Sequence, residues 1–149
     1  MADWGGAMKR VVLDTNVMVA GLRSTHGASY ELLQFLANPI PVVQLGLTTP
    51  LLLEYEAVLK RPDLVPKSPQ QIDTLLDYWC SIGYLGKVRF RVRPATHDPD
   101  DDIVLEAAIA AKCRVIVSHN IQDLFSGCNE YGIVVLTPRQ ALEEWRMSS

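Results

Sequence analysis

Apolar runs and polar breaks alternate along this chain at a spacing that predicts strands and helices in turn. Lys9-Arg10-Val11-Val12-Leu13 ends on Asp14, a short apolar run suited to a buried parallel strand. Thr15-Asn16 then turns the chain, Val17 to Leu22 forms a short helix or apolar turn, and Ser24 to Gly27 breaks it. Ala28 to Ala37 carries Tyr30, Leu33 and Leu36 at helical spacing and stops at Asn38-Pro39. Val42 to Leu45 is a second strand. Thr48 and Pro50 supply a capping hydroxyl and a first-turn proline for a helix over Leu51 to Lys60. A third long helix runs from Pro69 to about Cys80, opened by Ser68. Lys87 to Arg93 alternates basic and apolar residues and predicts a strand with one basic face. An alanine-rich helix through Ala111, a strand over Arg114 to Val117 and a strand over Ile133 to Leu136 follow. Thr137 caps a closing helix that runs from Pro138 or Arg139 to Trp145.

Strands and helices alternating in this way predict an α/β protein, three layers α/β/α around a mostly parallel central sheet. Ligands of such folds bind outside the carboxyl ends of the strands, where the strand order reverses. Asp14 stands at one such end and Ser118-His119-Asn120 at another, so residues far apart in sequence are expected to meet on one edge.

The alanine-rich helix opens on His97-Asp98-Pro99-Asp100-Asp101-Asp102. A helix N-terminus favours a carboxylate by a few tenths to ~1 kcal/mol. Like charges ~4 Å apart cost about 4 kcal/mol at an effective dielectric of 20, so capping does not account for four acids between positions 98 and 102. The helix is apolar nearly all round and is therefore expected to be buried. Converging carboxylates near a buried helix are relieved by a divalent cation with oxygen ligands.

The chain has 149 residues, 48% of them hydrophobic, enough for one domain with a real core. Residues 1–7 read as a flexible leader, with Met8 an alternative start, 8–145 as the domain and 146–149 as a tail. No run of 18 apolar residues is present, so no membrane association is expected. Three cysteines without CxxC spacing point to reduced thiols and a cytoplasmic setting, and three scattered histidines make no zinc signature. A net charge of −3 argues against bulk attraction to nucleic acid, leaving only a local basic face for that role.

Each candidate has a plain alternative. Asp14 either caps the next turn or holds a metal at the sheet edge. Glu56 pairs with Lys60 four residues on. Glu54 has Pro50, Leu51, Ala57 and Val58 at helical neighbour positions, so any cation beside it must come from elsewhere in the fold. Asp102 shares a helical stripe with Glu106 and Ile109, while Asp101 lies nearer Leu105, Ala108 and Lys112. Asp98 and Asp100 read as turn and loop charges, and Glu106 as support. Asp123 either caps a short helical turn or adds a charge beside Asn120. Asn16, Ser118 and Asn120 are supporting polar groups, Ser118 able to bond a carboxylate. His119 reads as structural. Lys87, Arg89, Arg91 and Arg93 would sit about 7 Å apart on one strand face, a spacing that can follow a phosphate backbone. The same charges also serve to protect a solvated edge strand.

Together, VVLDTN at Asp14, TTPLLLEYEAVLKRPDL at Glu54, HDPDDDIVLEAAIAAKCRVIVSHNIQDL and GIVVLTPRQAL resemble a PIN domain over residues 8 to 145. More narrowly, they resemble the toxin components of toxin–antitoxin pairs, relatives of the VapC ribonucleases. The resemblance implies a metal-dependent endoribonuclease with one or two Mg²⁺ or Mn²⁺ ions in an acidic cluster. Asp14 and Glu54 fall on the first two acids of that cluster, and Asp101 or Asp102 on the third. Where many members have a fourth aspartate this chain has Asn120, which leaves Asp123 to supply the charge. The catalytic set implied is Asp14, Glu54, Asp102 and Asp123, with Asp101 a further ligand. The implied reaction is phosphodiester hydrolysis by metal-activated water. RNA is the implied substrate, a small antitoxin the implied partner, and a homodimer the usual state. The competing reading is a catalytically degenerate PIN-like module that binds RNA or a partner. A phosphoaspartyl phosphatase of the haloacid dehalogenase type would need an acid where Asn16 stands, and a receiver-type phosphoacceptor lacks its acidic pair and late lysine.

Overall fold

A computed structural model describes residues 9–38, 43–89, 99–122 and 128–148, without the side chains at 99–101 and 148. In chain order the elements are β1 (Lys9–Leu13), α1 (Thr15–Arg23), α2 (Ala28–Leu36), β2 (Val43–Leu47), α3 (Thr49–Leu59), α4 (Pro69–Ile82) and β3 (Tyr84–Leu85). They are followed by α5 (Pro99–Ala110), β4 (Val115–Val117), β5 (Val134–Leu136) and α6 (Pro138–Ser148).

Local chemistry sets several of these boundaries. Thr48 Oγ1 accepts the Leu51 N–H at 3.3 Å to open α3. Ser68 and Gln71 form a reciprocal capping box at the start of α4, and Thr137 and Gln140 do the same for α6. Lys60 Nζ lies 2.9 Å from Glu56 and 2.6 Å from Asp73, so the expected pair on α3 also ties α3 to α4.

The strands pair in the order β3-β2-β1-β4-β5, every pair parallel. The chain first steps from β1 outward to β2 and β3, and α5 then carries it back across to β4 on the other side of β1. The order therefore reverses between β1 and β4, where Leu13 lies opposite Val117. Helices cover both faces, giving the three layers expected. α5 packs on β1, β2 and β4 beside α3, while α2 meets α6 through Phe35 and Trp145 at 5.6 Å between ring centroids. The core joins Val11, Val12 and Leu13 to Val115, Ile116 and Val117, with Leu105, Ala107 and Ala108 of α5 fully buried above them.

Two expectations change. Thr15 and Asn16 belong to the first turn of α1, not to a separate turn, because extended Asp14 already accepts the Val17 N–H at 3.0 Å. Of the strand expected over Lys87 to Arg93, the described residues Lys87, Val88 and Arg89 are not in a strand, and the short strand here is Tyr84–Leu85. The reason is the partner: β3 pairs at Gly46 and Leu47, where β2 ends, so Lys87–Arg89 have no further β2 residues to pair with. Gly86 makes the last bond, donating to Leu47 O at 2.7 Å, and passes so close to α5 that a Cβ would lie 2.6 Å from the Ala110 carbonyl. Arg91 and Arg93 lie outside the described residues.

Cys80 is an exposed free thiol, and Cys113 and Cys128 are buried. Burial pushes the Cys113 thiol up to about 12, partly opposed by Arg10. No helix among the described residues is long and apolar enough to cross a membrane.

Candidate functional site at the strand carboxyl ends

The reversal between β1 and β4 places Asp14 and Ser118 side by side. The Asp14 N–H extends the ladder by donating to Val117 O at 2.9 Å, and the Ser118 N–H donates to Leu136 O at 2.9 Å. The Asp14 carboxylate is 7% exposed and does not turn back to cap α1. Its Oδ2 instead accepts from Ser118 Oγ at 2.7 Å and from Asn16 Nδ2 at 3.3 Å. Ser118, fully buried, also accepts the Asn120 N–H at 2.9 Å, and Asn16 Oδ1 accepts the His119 N–H at 3.3 Å. These bonds weld the end of β4 to the start of α1. A hydrogen bond to a charged group contributes roughly 1.5–3 kcal/mol. Ser118→Ala is expected to lower stability by about that amount, read as a lower urea midpoint with an unchanged slope.

Above this floor lies a groove of about 460 Å³. One wall is the face of α1 carrying Asn16, Val19, Ala20 and Arg23, at three- and four-residue spacing. The opposite wall is the α3 face with Glu54 and Val58, continued by Arg61 and Leu64; Asp14, Thr15 and Asn120 complete the lining. Tyr55, next to Glu54, points the other way into the core and donates its hydroxyl to the Leu13 carbonyl. Burial pushes its phenol well above the ordinary value, and the nearby Asp14 and Cys113 charges add to the effect. The protonated phenol therefore fixes α3, and Glu54 with it, against the strand that presents Asp14.

The structure thus gathers Asp14, Glu54, Asn16 and Asn120 around one groove, with Ser118 beneath Asp14. Asp102 opens α5 but is buried, at 3% exposure, and is not among the groove's lining residues; Glu106, one turn on, is buried as well. The Asp101 side chain and Asp123 lie outside the described residues. His119 Nε2 lies 3.1 Å from Ser29 Oγ, in keeping with its structural reading. Lys87 and Arg89 are elsewhere, around a separate cavity of about 140 Å³ with Glu106 and Lys112. The cations of the groove are Arg23 and Arg61, which sequence reasoning did not single out. Arg23 ends α1 and Arg61 follows the Lys60 cap of α3, neither within a motif, and only the fold shows that both line one groove.

Asp14, Thr15, Asn16, Glu54 and Asn120 bring oxygen donors to the groove, the kind a hard divalent cation takes. The Thr15 Oγ1 at its edge is buried without a hydrogen-bond partner among the described residues, a donor set aside from the protein's own network. Among the described residues no three His, Cys, Asp or Glu side chains are grouped to hold a metal ion.

Fold and groove define a class first: a doubly wound α/β domain with a polar groove holding Asp14 and Glu54 at its reversal point. The PIN domain family profile matches residues 10–122, and the chain belongs to that family. The solved structure of VapBC2 from Rickettsia felis bound to a DNA fragment from their promoter is similar, with a TM-score of 0.54 and 16% identity. The match covers 86% of this chain and 98% of that one, and at this identity it shows the shared fold. No curated protein matches the sequence.

Proposed function

We propose that this PIN domain binds RNA in the groove at the β1–β4 reversal, as the toxin-like member of a pair whose small antitoxin-like partner covers the same groove. The RNA reading is carried by one observation: Arg23 and Arg61 line the groove that holds Asp14 and Glu54. Guanidinium groups bind phosphate oxygens in a forked geometry, and such contacts fix the register of a nucleic acid strand. Support for the partner comes from the sequence resemblance and from the likeness to VapBC2. A homodimer enters on the resemblance alone.

The described residues favour binding over cleavage, since they group no three metal-ligating side chains and put neutral Asn120 in the groove. A second reading, a Mg²⁺- or Mn²⁺-dependent endoribonuclease, is favoured by the unpartnered Thr15 hydroxyl beside buried Asp14. It requires a further carboxylate, from Asp101, Asp102 or Asp123, to join Asp14 and Glu54. A bound divalent ion would supply an activated water and offset charge on the phosphate. Asp14 would be held in place for that ion by Ser118 and Asn16, and Glu54 by the Tyr55 anchor.

The test uses purified protein and a set of structured and single-stranded RNAs, with Mn²⁺, with Mg²⁺ or with EDTA, alongside Asp14→Asn. The expected result is RNA binding that survives EDTA and Asp14→Asn, without strand scission. Metal-dependent scission lost in Asp14→Asn would establish the nuclease reading instead. Protein that neither binds nor cuts RNA would rule out both.

A further inference from the structure

A second cavity, of about 440 Å³, lies between the C-terminal end of α1, α2 and α4. Among the described residues its charged lining is Arg23 and Lys67, with no acid. Tyr30 and Tyr78 also line it, and Tyr78 is 39% exposed. Arg23 lines this cavity and the groove of Asp14 and Glu54 alike, so one guanidinium stands where the two meet.

We infer that this cavity is a nucleobase subsite for a single-stranded RNA segment whose neighbouring phosphate lies at Arg23. The inference rests on the RNA reading of the groove. The volume falls in the range of small-ligand pockets, roughly 300–1,000 Å³. The lining combines what an unpaired nucleotide needs: aromatic side chains, Tyr30 and Tyr78, for the base and two cations, Arg23 and Lys67, for neighbouring phosphates. A duplex keeps its bases stacked internally and cannot offer one to a pocket, so the site selects single strands. The absence of acids from the lining suits a polyanion entering from the groove.

The test is fluorescence anisotropy with a labelled single-stranded heptaribonucleotide, on full-length Asp14→Asn protein so that scission cannot intervene. Tyr78→Leu keeps an apolar side chain at a partly exposed position and removes the aromatic face. Stacking on one aromatic residue corresponds to roughly a 5- to 150-fold change in affinity, and a loss in that range is expected. An abasic scan of the oligonucleotide is expected to show one position that costs a similar factor in the parent and nothing further in Tyr78→Leu. Lys67→Gln, on an exposed loop, is expected to weaken binding and flatten its salt dependence.

A flat abasic scan with unchanged Tyr78→Leu affinity, while Arg61→Glu still weakens binding, would overturn the subsite and leave the groove reading intact. No binding by the parent protein would overturn both. Unchanged RNA binding with lost capture of a co-expressed small protein would reassign the cavity to a protein partner and overturn the subsite.

Discussion

Trp145→Ala will lower the stability of this domain by about 3–5 kcal/mol, a third or more of the ~5–15 kcal/mol typical of single domains. Trp145 is fully buried in α6 and packs obliquely on Phe35 of α2, so its loss leaves a cavity where the last helix joins the body. The Arg146–Glu31 ion pair alongside is exposed on both sides and cannot hold the helix by itself. Trp145→Phe should cost markedly less. It keeps a ring against Phe35 and removes an indole N–H that is buried without a partner among the described residues. Urea denaturation of the three proteins checks the order; equal midpoints for Trp145→Ala and wild type would show that α6 does not hold the core together.

Reversing both groove cations, Arg23→Glu with Arg61→Glu, will weaken RNA binding by roughly a hundredfold or more near 0.1 M salt. Both residues are exposed and the fold should persist. Two lost phosphate contacts should also reduce the slope of log K against log salt by about 1 to 2. Lys87→Gln, distant from the groove, should change affinity by less than about twofold by the same counting. Anisotropy titrations at several salt concentrations measure both quantities. A strong Lys87→Gln effect with a weak double reversal would move the RNA path to the other cavity.

The fold was legible where local chemistry decides conformation. Thr48 with Pro50, Ser68 with Gln71 and the apolar run into Asp14 each carry their structure within a few residues. The Lys87–Arg93 alternation misled at Lys87–Arg89 because a period of two describes a face without supplying a partner, and β2 ends at Leu47. At the site, Asp14 and Glu54 could be read from polar residues breaking apolar contexts. The cations beside them could not. Arg23 and Arg61 end helices far apart in sequence, and facing walls depend on how α1 and α3 pack. The burial expected for the alanine-rich helix is found, and it encloses Asp102 together with Glu106, the stripe read from the sequence.

The groove's floor and walls differ in how much they can adapt. Asp14 and Ser118 are tied by their own amides into the sheet, and Tyr55 clasps the Leu13 carbonyl from below, so the floor can shift only if the ladder itself opens. The cost of ordering these groups is met when the chain folds and does not recur at each encounter. Adjustment to different occupants therefore falls to the exposed arginines on the rims, long side chains that reorient without moving the backbone. On the proposed reading, an RNA strand and a protein partner would compete for one rigid seat by rearranging only its edges.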